Sequence, residues 1–198
     1  MTALRHSADS ANTIILSFHV DYWNDLGWKD PFSKPDFTER QRLYKQYGIS
    51  DGIYTPQVII NGKSAFTGGN GPRLNRELSG LKGKKFPASL AITTEPLMDG
   101  KLKIDYTVSG TIDECVMNFA IVTSGDTTKI RSGENAGKTL ISTNTVRGFS
   151  YKLLEGGRGS IIMNLPPNIP LVDLKLIVYA QNTSGAEVIG VVIKSLKN

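Results

Sequence analysis

Hydrophobic and polar positions follow one pattern in the first part of the chain and another in the second. Between residues 13 and 81, short apolar runs typical of strands are separated by segments with helix start and stop signals. From residue 88 onward, apolar residues recur at every second position and helix signals nearly vanish. The segment 80–87 between them is polar and contains several lysines and glycines. The pattern therefore predicts two domains, residues 1–83 and residues 84–198.

The first predicted domain has the elements of an α/β unit. Residues 14–18 are apolar and mostly β-branched or aromatic, which predicts a buried strand. Asn61-Gly62 joins two further short strands, because this dipeptide accepts the left-handed backbone of a tight hairpin turn. Helices are expected at residues 37–47 and 73–81. Gly48 is a natural stop for the first, and Pro72 suits the first position of the second.

The second predicted domain is a β-sandwich. Its apolar residues alternate with polar ones in short runs, and glycine, proline, asparagine or aspartate separates the runs. Residues 144–151, rich in threonine and then aromatic, could instead form one long bent strand in place of the strand predicted at 140–146. The predicted strands cover residues 88–93, 101–109, 115–123, 140–146, 160–165, 174–181 and 186–194.

Charge and hydropathy exclude some classes of function. The 198 residues carry a formal charge of +5, and part of the excess lies at residues 73–85. No nucleic-acid motif accompanies these cations, so a solvated basic face is favoured and no nucleic-acid partner is expected. No apolar run approaches the ~20 residues of a membrane span. Residues 1–12 are polar, without the apolar centre of a signal peptide.

Candidate chemical groups are few. Cys115 is the single cysteine, so it cannot form an internal disulfide, a Cys-x-x-Cys pair or a cysteine-based zinc site, and its alternating surroundings predict a buried structural thiol. His19 and Asp21, with Asp25 nearby, are candidates for a metal or acid–base cluster. A hydrogen-bonded structural histidine and a turn aspartate are favoured, because metal sites need about three or four ligands. No metal or cofactor is expected.

The segment from Gly133 to Thr139 resembles a phosphate-binding loop. It is one residue short between its glycines, and the residues after it favour a strand where a phosphate-binding loop needs a helix. Nucleotide binding is therefore rejected in favour of a glycine-rich loop at one end of the sandwich.

Several ordered motifs together resemble a bacterial family of secreted thioredoxin-like proteins without an established function. The motifs are His19-Val20-Asp21-Tyr22-Trp23, Gly27-Trp28-Lys29-Asp30-Pro31-Phe32, Glu39-Arg40-Gln41, Tyr54-Thr55-Pro56-Gln57 and Gly133-Glu134-Asn135-Ala136-Gly137. The resemblance implies the fold class α/β plus all-β: a truncated thioredoxin-like α/β domain followed by a β-sandwich. It also implies a cis Thr55–Pro56 bond and a periplasmic or secreted location.

The chain departs from that family at its start. Members begin with a signal peptide, a strand and a Cys-x-x-Cys helix, and we expect these 198 residues to lack that segment. Thiol–disulfide exchange needs an attacking and a resolving thiol, so we assign no catalytic residue and expect no thiol-redox activity. Two hypotheses stay open. The chain is either a binding or structural module of unknown partner, or a truncated form of a secreted thiol–disulfide oxidoreductase.

The resemblance predicts a site without catalytic residues at the end of the sheet. We expect Thr55 and Pro56 to lie close to the first motif, and we expect Trp23 to brace the site by being buried. The residues predicted to line this site are His19, Asp21, Tyr22, Trp23, Thr55 and Pro56. Loss of the first strand and its helix would leave an apolar face open, and pairing of two such faces in a homodimer is the simplest way to cover it.

Overall fold

The computed structural model describes residues 13–110, 114–133 and 136–197. The first 12 residues of the predicted first domain and two residues of the glycine-rich motif, Glu134 and Asn135, lie outside this part. Within it, the helices are α1 (Pro35–Gln46) and α2 (Gly71–Leu81), with short 3-10 turns at Met98–Gly100 and Leu171–Asp173. The strands are β1 (Gln57–Ile60), β2 (Ser64–Thr67), β3 (Ala88–Leu97), β4 (Lys101–Gly110), β5 (Cys115–Lys129), β6 (Thr139–Leu153), β7 (Arg158–Asn164), β8 (Leu174–Asn182) and β9 (Val188–Ser195).

Two antiparallel sheets share the main core. One has the order β3-β4-β7 and the other β6-β5-β8-β9. Alternation along the strands directs Leu102 and Ile104 of β4 inward to meet Phe119 of β5 and Leu176 of β8, all of which are fully buried. Cys115 lies in the same core with 0% exposure, as predicted for a structural thiol.

A smaller apolar cluster covers the outer face of the four-stranded sheet. Phe37 of α1 packs there against Val122, Val146 and Ile177, and it is only 2% exposed. Phe18 meets Phe37 edge to face, with ring centroids 5.2 Å apart. The segment before α1 and α1 itself are therefore held on the sandwich by burial of apolar surface.

Arg40 fixes α1 to β5 and β8. Its guanidinium donates to the Tyr179 hydroxyl at 2.6 Å, to Gln181 Oε1 at 3.0 Å and to Asn118 Oδ1 at 3.3 Å. It also lies 4.6 Å from the Phe149 ring centre. Within the described residues, no ion pair involves Arg40. Its positive charge is therefore stabilised by neutral hydrogen-bond acceptors and by the faces of aromatic rings.

The predicted thioredoxin-like domain is wrong. Among the described residues, every pair of named strands is antiparallel, and β1 and β2 form a sheet of their own. Residues 14–18 do not join that sheet. They form a single parallel bridge, Ser17 with Thr145 of β6. Asn144, next to the bridge, has a φ of 46°, in the left-handed region. The described part of the chain is therefore mostly β and contains no helix-flanked mixed sheet.

Local elements agree better with the sequence. Each of the seven strands predicted after residue 88 has its counterpart in β3 to β9, although β5 and β6 are longer than expected. β6 contains both residues 140–146 and residues 144–151, so the two ranges belong to one long strand. The Thr55–Pro56 peptide bond is cis.

The division into residues 1–83 and 84–198 stays a prediction, and contacts cross it. The hairpin turn between β1 and β2 rests on the turn between β8 and β9. Val188 donates its backbone N–H to the Asn61 carbonyl at 2.9 Å, and Lys63 Nζ lies 3.0 Å from Glu187 Oε1.

Candidate functional site

Three polar side chains from distant parts of the chain form a connected row. Asp30 Oδ2 lies 2.6 Å from His19 Nδ1, and His19 Nε2 lies 3.1 Å from Ser142 Oγ. The side chains of His19 and Asp30 are 9% and 15% exposed, whereas Ser142 is partly exposed on β6. We call these three residues the His19 row. A carboxylate, an imidazole and a hydroxyl in this order can move a proton from the hydroxyl to the imidazole.

The loop before α1 positions both residues of the contact between His19 and Asp30. The backbone N–H of Phe32 donates to Asp30 Oδ1 at 2.9 Å, so Oδ2 is left to face His19. The Asn24 side chain accepts the Asp30 N–H at 3.1 Å. On the other side, the Ser17 bridge to β6 places His19 two residues further along, beside the strand that carries Ser142.

Aromatic and cationic groups surround the His19 row. The Phe32 ring meets the His19 ring edge to face with centroids 5.5 Å apart, and the Arg147 guanidinium lies 4.1 Å from the Phe32 centroid. Lys34 Nζ donates to the Arg147 carbonyl at 2.5 Å. The imidazole is therefore held between a carboxylate and a hydrophobic ring, which restricts its orientation.

An open cleft of about 430 Å³ lies beside this region. Arg147 and Asp126 line it, and Asp126 is the cross-strand partner of Ser142. Ser124 and Asp173 also line it. Charged side chains of both signs therefore line the cleft, and one of them belongs to the residue opposite Ser142 in the β5–β6 ladder.

The two stretches predicted to form one site are connected through Gln41 of α1. Tyr22 donates its hydroxyl to Gln41 Oε1 at 3.2 Å, and Gln41 Nε2 donates to the Tyr54 carbonyl at 2.8 Å and to Gln57 Oε1 at 2.9 Å. Burial raises the pKa of the Tyr22 phenol, and hydrogen bonding to Gln41 and Trp23 opposes that shift.

The six predicted site residues have different surroundings. His19 is part of the His19 row, and Asp21 binds Thr38 of α1, which donates its hydroxyl to Asp21 Oδ1 at 2.5 Å. Thr55 and Pro56 are exposed. A shared site for the six stays a prediction. Trp23 differs from expectation, because it is 49% exposed instead of buried.

Sequence reasoning missed Asp30, Ser142 and Gln41. Asp30 and Gln41 lie inside motifs that carried the family resemblance, but nothing in the sequence assigned them a role. Ser142 is 123 residues from His19, and no local signal connects the two. Among the described residues, no group of three or more histidine, cysteine or acidic side chains is suited to hold a metal ion. No helix in the part of the chain with assigned structure is long and apolar enough to cross a membrane.

Comparisons with known proteins identify relatives but no activity. A family model described as a protein of unknown function, DUF1223, matches residues 1–181. No curated protein matches the chain. The crystal structure of a structural-genomics target from Agrobacterium tumefaciens is similar over 100% of this chain and 86% of that chain, with 24% sequence identity and a TM-score of 0.69. That likeness shows a shared fold.

Two glycosidases also match in part. A β-glucuronidase from Ruminococcus gnavus has 10% identity over 55% of this chain and 16% of its own, with a TM-score of 0.30. A β-glucosidase from Streptomyces venezuelae has 14% identity over 55% of this chain and 15% of its own, with a TM-score of 0.25. Scores this low do not indicate a shared function.

Proposed function

Because the chain belongs to the DUF1223 family of unknown function, its role has to be inferred from its own residues, and we propose that it is a binding module. We define the Trp23 surface as Tyr22, Trp23 and Leu26. The observation that supports binding is that Trp23 is 49% exposed although the loop around it is held by hydrogen bonds on several sides. The proposed partner is a polypeptide segment that presents apolar side chains.

Exposed aromatic and aliphatic groups lie together on this surface. The rings of Tyr22 and Trp23 are 5.3 Å apart, and Leu26 is 59% exposed. Leu26 donates its backbone N–H to the Trp23 carbonyl at 3.2 Å, so the two side chains belong to one turn. Tryptophan and tyrosine are enriched among the residues that dominate protein interfaces, which favours a polypeptide partner.

Hydrogen bonds and a close backbone contact hold the Trp23 surface in place. Asp21 donates its N–H to Thr38 Oγ1 at 3.1 Å, and Tyr22 is tied to Gln41. The turn at Leu26 also rests on Gly133, where a Cβ atom would lie 2.7 Å from the Leu26 carbonyl oxygen. Gly133 has a φ of 76°, so glycine meets both requirements of this close approach. A surface held in this way loses little conformational freedom on binding.

Thiol–disulfide exchange has no support in these residues. Cys115 is the single cysteine, it is fully buried, and burial raises the pKa of its thiol. A thiolate is therefore disfavoured, and a resolving thiol is lacking in this sequence. The site therefore does not support the alternative that the chain is an oxidoreductase.

A library of immobilised peptides with varied apolar residues tests the binding role. We expect the wild-type protein to bind a subset of peptides, and Trp23→Ala or Leu26→Ala to weaken that binding at least ~10-fold, the effect of a central interface residue. The matched controls are Tyr151→Ala, which removes an aromatic side chain 66% exposed, and Ile162→Ala, which removes an aliphatic one 58% exposed. Both controls should bind as the wild type does. Absence of binding to any peptide, or equal losses in controls and test variants, would contradict the proposal.

A further inference from the structure

Beyond binding, we propose that the His19 row is a catalytic site that hydrolyses small neutral esters, with Ser142 as the nucleophile. A hydroxyl becomes a competent nucleophile when a positioned base accepts its proton and a third group orients the base. The distances of 3.1 Å from Ser142 Oγ to His19 Nε2 and 2.6 Å from His19 Nδ1 to Asp30 Oδ2 fall within this requirement.

The hydrogen bonds determine which ring nitrogen carries the proton. An ionised carboxylate only accepts hydrogen bonds, so His19 Nδ1 must donate to Asp30. In the neutral ring, Nε2 then has a free lone pair, and the Ser142 hydroxyl donates to it. Asp30 cannot rotate away without losing the bond from the Phe32 N–H to Oδ1, which makes Asp30 a positioning residue.

The degree of burial of the three side chains in the His19 row suits such a reaction. The side chains of His19 and Asp30 are 9% and 15% exposed, and the Phe32 ring covers one edge of the imidazole. Exclusion of water strengthens the electrostatic support that Asp30 gives to a positively charged His19. Ser142 is partly exposed, as a nucleophile that a substrate approaches has to be.

The neighbouring cleft indicates the class of substrate. It has a volume of about 430 Å³, and one of its lining residues, Asp126, is the cross-strand partner of Ser142. One cation, Arg147, and two acidic residues, Asp126 and Asp173, line it, so it does not select for a negative charge. A small neutral ester fits these charges better than an anionic substrate.

The reaction runs in two balanced steps. In the first, Ser142 Oγ forms a bond to the ester carbonyl carbon while its proton passes to His19 Nε2. The carbon–oxygen bond to the alcohol then breaks, and His19 returns the proton to the leaving alkoxide. In the second step, a water molecule gives a proton to His19 Nε2 while its oxygen forms a bond to the acyl carbon. The bond between that carbon and Ser142 Oγ then breaks, His19 returns the proton to Ser142 Oγ, and the carboxylic acid is released.

A fluorophosphonate probe tests the nucleophile in the intact folded protein. We expect one covalent adduct per chain, located on Ser142 by peptide mass spectrometry. Ser142→Ala should abolish it, and His19→Gln should slow its formation at least ~100-fold, the usual contribution of a general base. Ser195→Ala is the matched control, because this exposed serine lies on β9, at the opposite edge of the four-stranded sheet from β6; its labelling rate should equal that of the wild type.

Hydrolysis of p-nitrophenyl acetate provides the second measurement. Asp30→Asn should lower kcat/KM and change its pH profile, because the amide does not stabilise a protonated His19 as a carboxylate does; a purely structural role of Asp30 would leave the profile unchanged. Thermal unfolding verifies that each variant is folded. Failure of the folded wild-type protein to form an adduct on Ser142, or equal labelling rates for wild type and folded His19→Gln, would overturn the catalytic proposal without affecting the Trp23 surface.

Discussion

Arg40 illustrates how one side chain can join a helix to a sheet without an ion pair. Burial lowers the pKa of its guanidinium, and the oxygens of Tyr179 and Tyr44 raise it, with a net upward shift. The group therefore stays charged, and its hydrogen bonds to Tyr179 and Gln181 have the strength typical of a charged donor.

We expect Arg40→Ala to lower the free energy of unfolding by about 3 kcal/mol, since it removes several charge-assisted hydrogen bonds and ring contacts. Urea denaturation measures the change. The control is Arg42→Ala, which removes a cation 48% exposed that pairs with Glu39 on the same helix. That change should cost less than about 1 kcal/mol. Similar losses for both variants would mean that Arg40 contributes no more than a surface cation.

At the level of single residues, the sequence predicted Cys115 correctly and Trp23 incorrectly. Cys115 lies in an alternating strand, and the period itself assigns it to the buried face. Trp23 lies in a loop, where no period distinguishes core from surface, so its size alone suggested burial. The partners of His19 could not be predicted from the sequence either, because Ser142 is distant along the chain and lies beside His19 only in the folded protein.

Among the elements, the hairpin formed by β1 and β2 approaches the backbone of the sandwich closely at its turn. At Gly62, a Cβ atom would lie 1.8 Å from the Ala186 carbonyl oxygen, and φ is 69°. Gly83 has a similar φ of 76° but no heavy atom within 4 Å of such a Cβ. A substitution at either glycine would therefore place a side chain on a left-handed backbone. Only at Gly62 would the added side chain also clash with another part of the chain.

We expect Gly83→Ala to cost about 1–2 kcal/mol, the cost of placing a non-glycine residue in the left-handed region. Gly62→Ala should cost about 1–3 kcal/mol more, because the hairpin or the turn at Ala186 has to move. Chemical denaturation of both variants measures the difference. Equal losses would show that the hairpin does not rest on the β8–β9 turn in solution.

Local signals explain why most elements were predictable and their assembly was not. Asn61-Gly62, Gly48 and the alternation after residue 88 each act within a few residues, and the elements they predict are present. The place of residues 14–18 depends instead on Thr145 of β6, more than a hundred residues away. A strand-like run does not specify its partner, so the sequence was compatible with a thioredoxin-like sheet that the fold does not contain.

On the scale of the whole molecule, the sandwich is the base on which the earlier residues are arranged. The outer face of its four-stranded sheet receives Phe37, its β6 edge receives Ser17, and its β8–β9 turn receives the hairpin. Contacts of this kind leave the two-domain division and the homodimer as predictions. They also place the Trp23 surface and two members of the His19 row, His19 and Asp30, in the same loop, residues 19–34, and this makes the loop the part of functional interest.

Both the position of the loop before α1 against β6 and the catalytic proposal depend on the contact between His19 and Ser142. A double-mutant cycle in the free energy of unfolding measures this contact directly, using His19→Ala, Ser142→Ala and the double variant. One hydrogen bond between neighbouring side chains predicts a coupling energy of about 1 kcal/mol. The same cycle with Ser124→Ala in place of Ser142→Ala should give additive losses. Additivity within about 0.3 kcal/mol for His19 and Ser142 would instead contradict the contact, and with it the arrangement of the loop on β6.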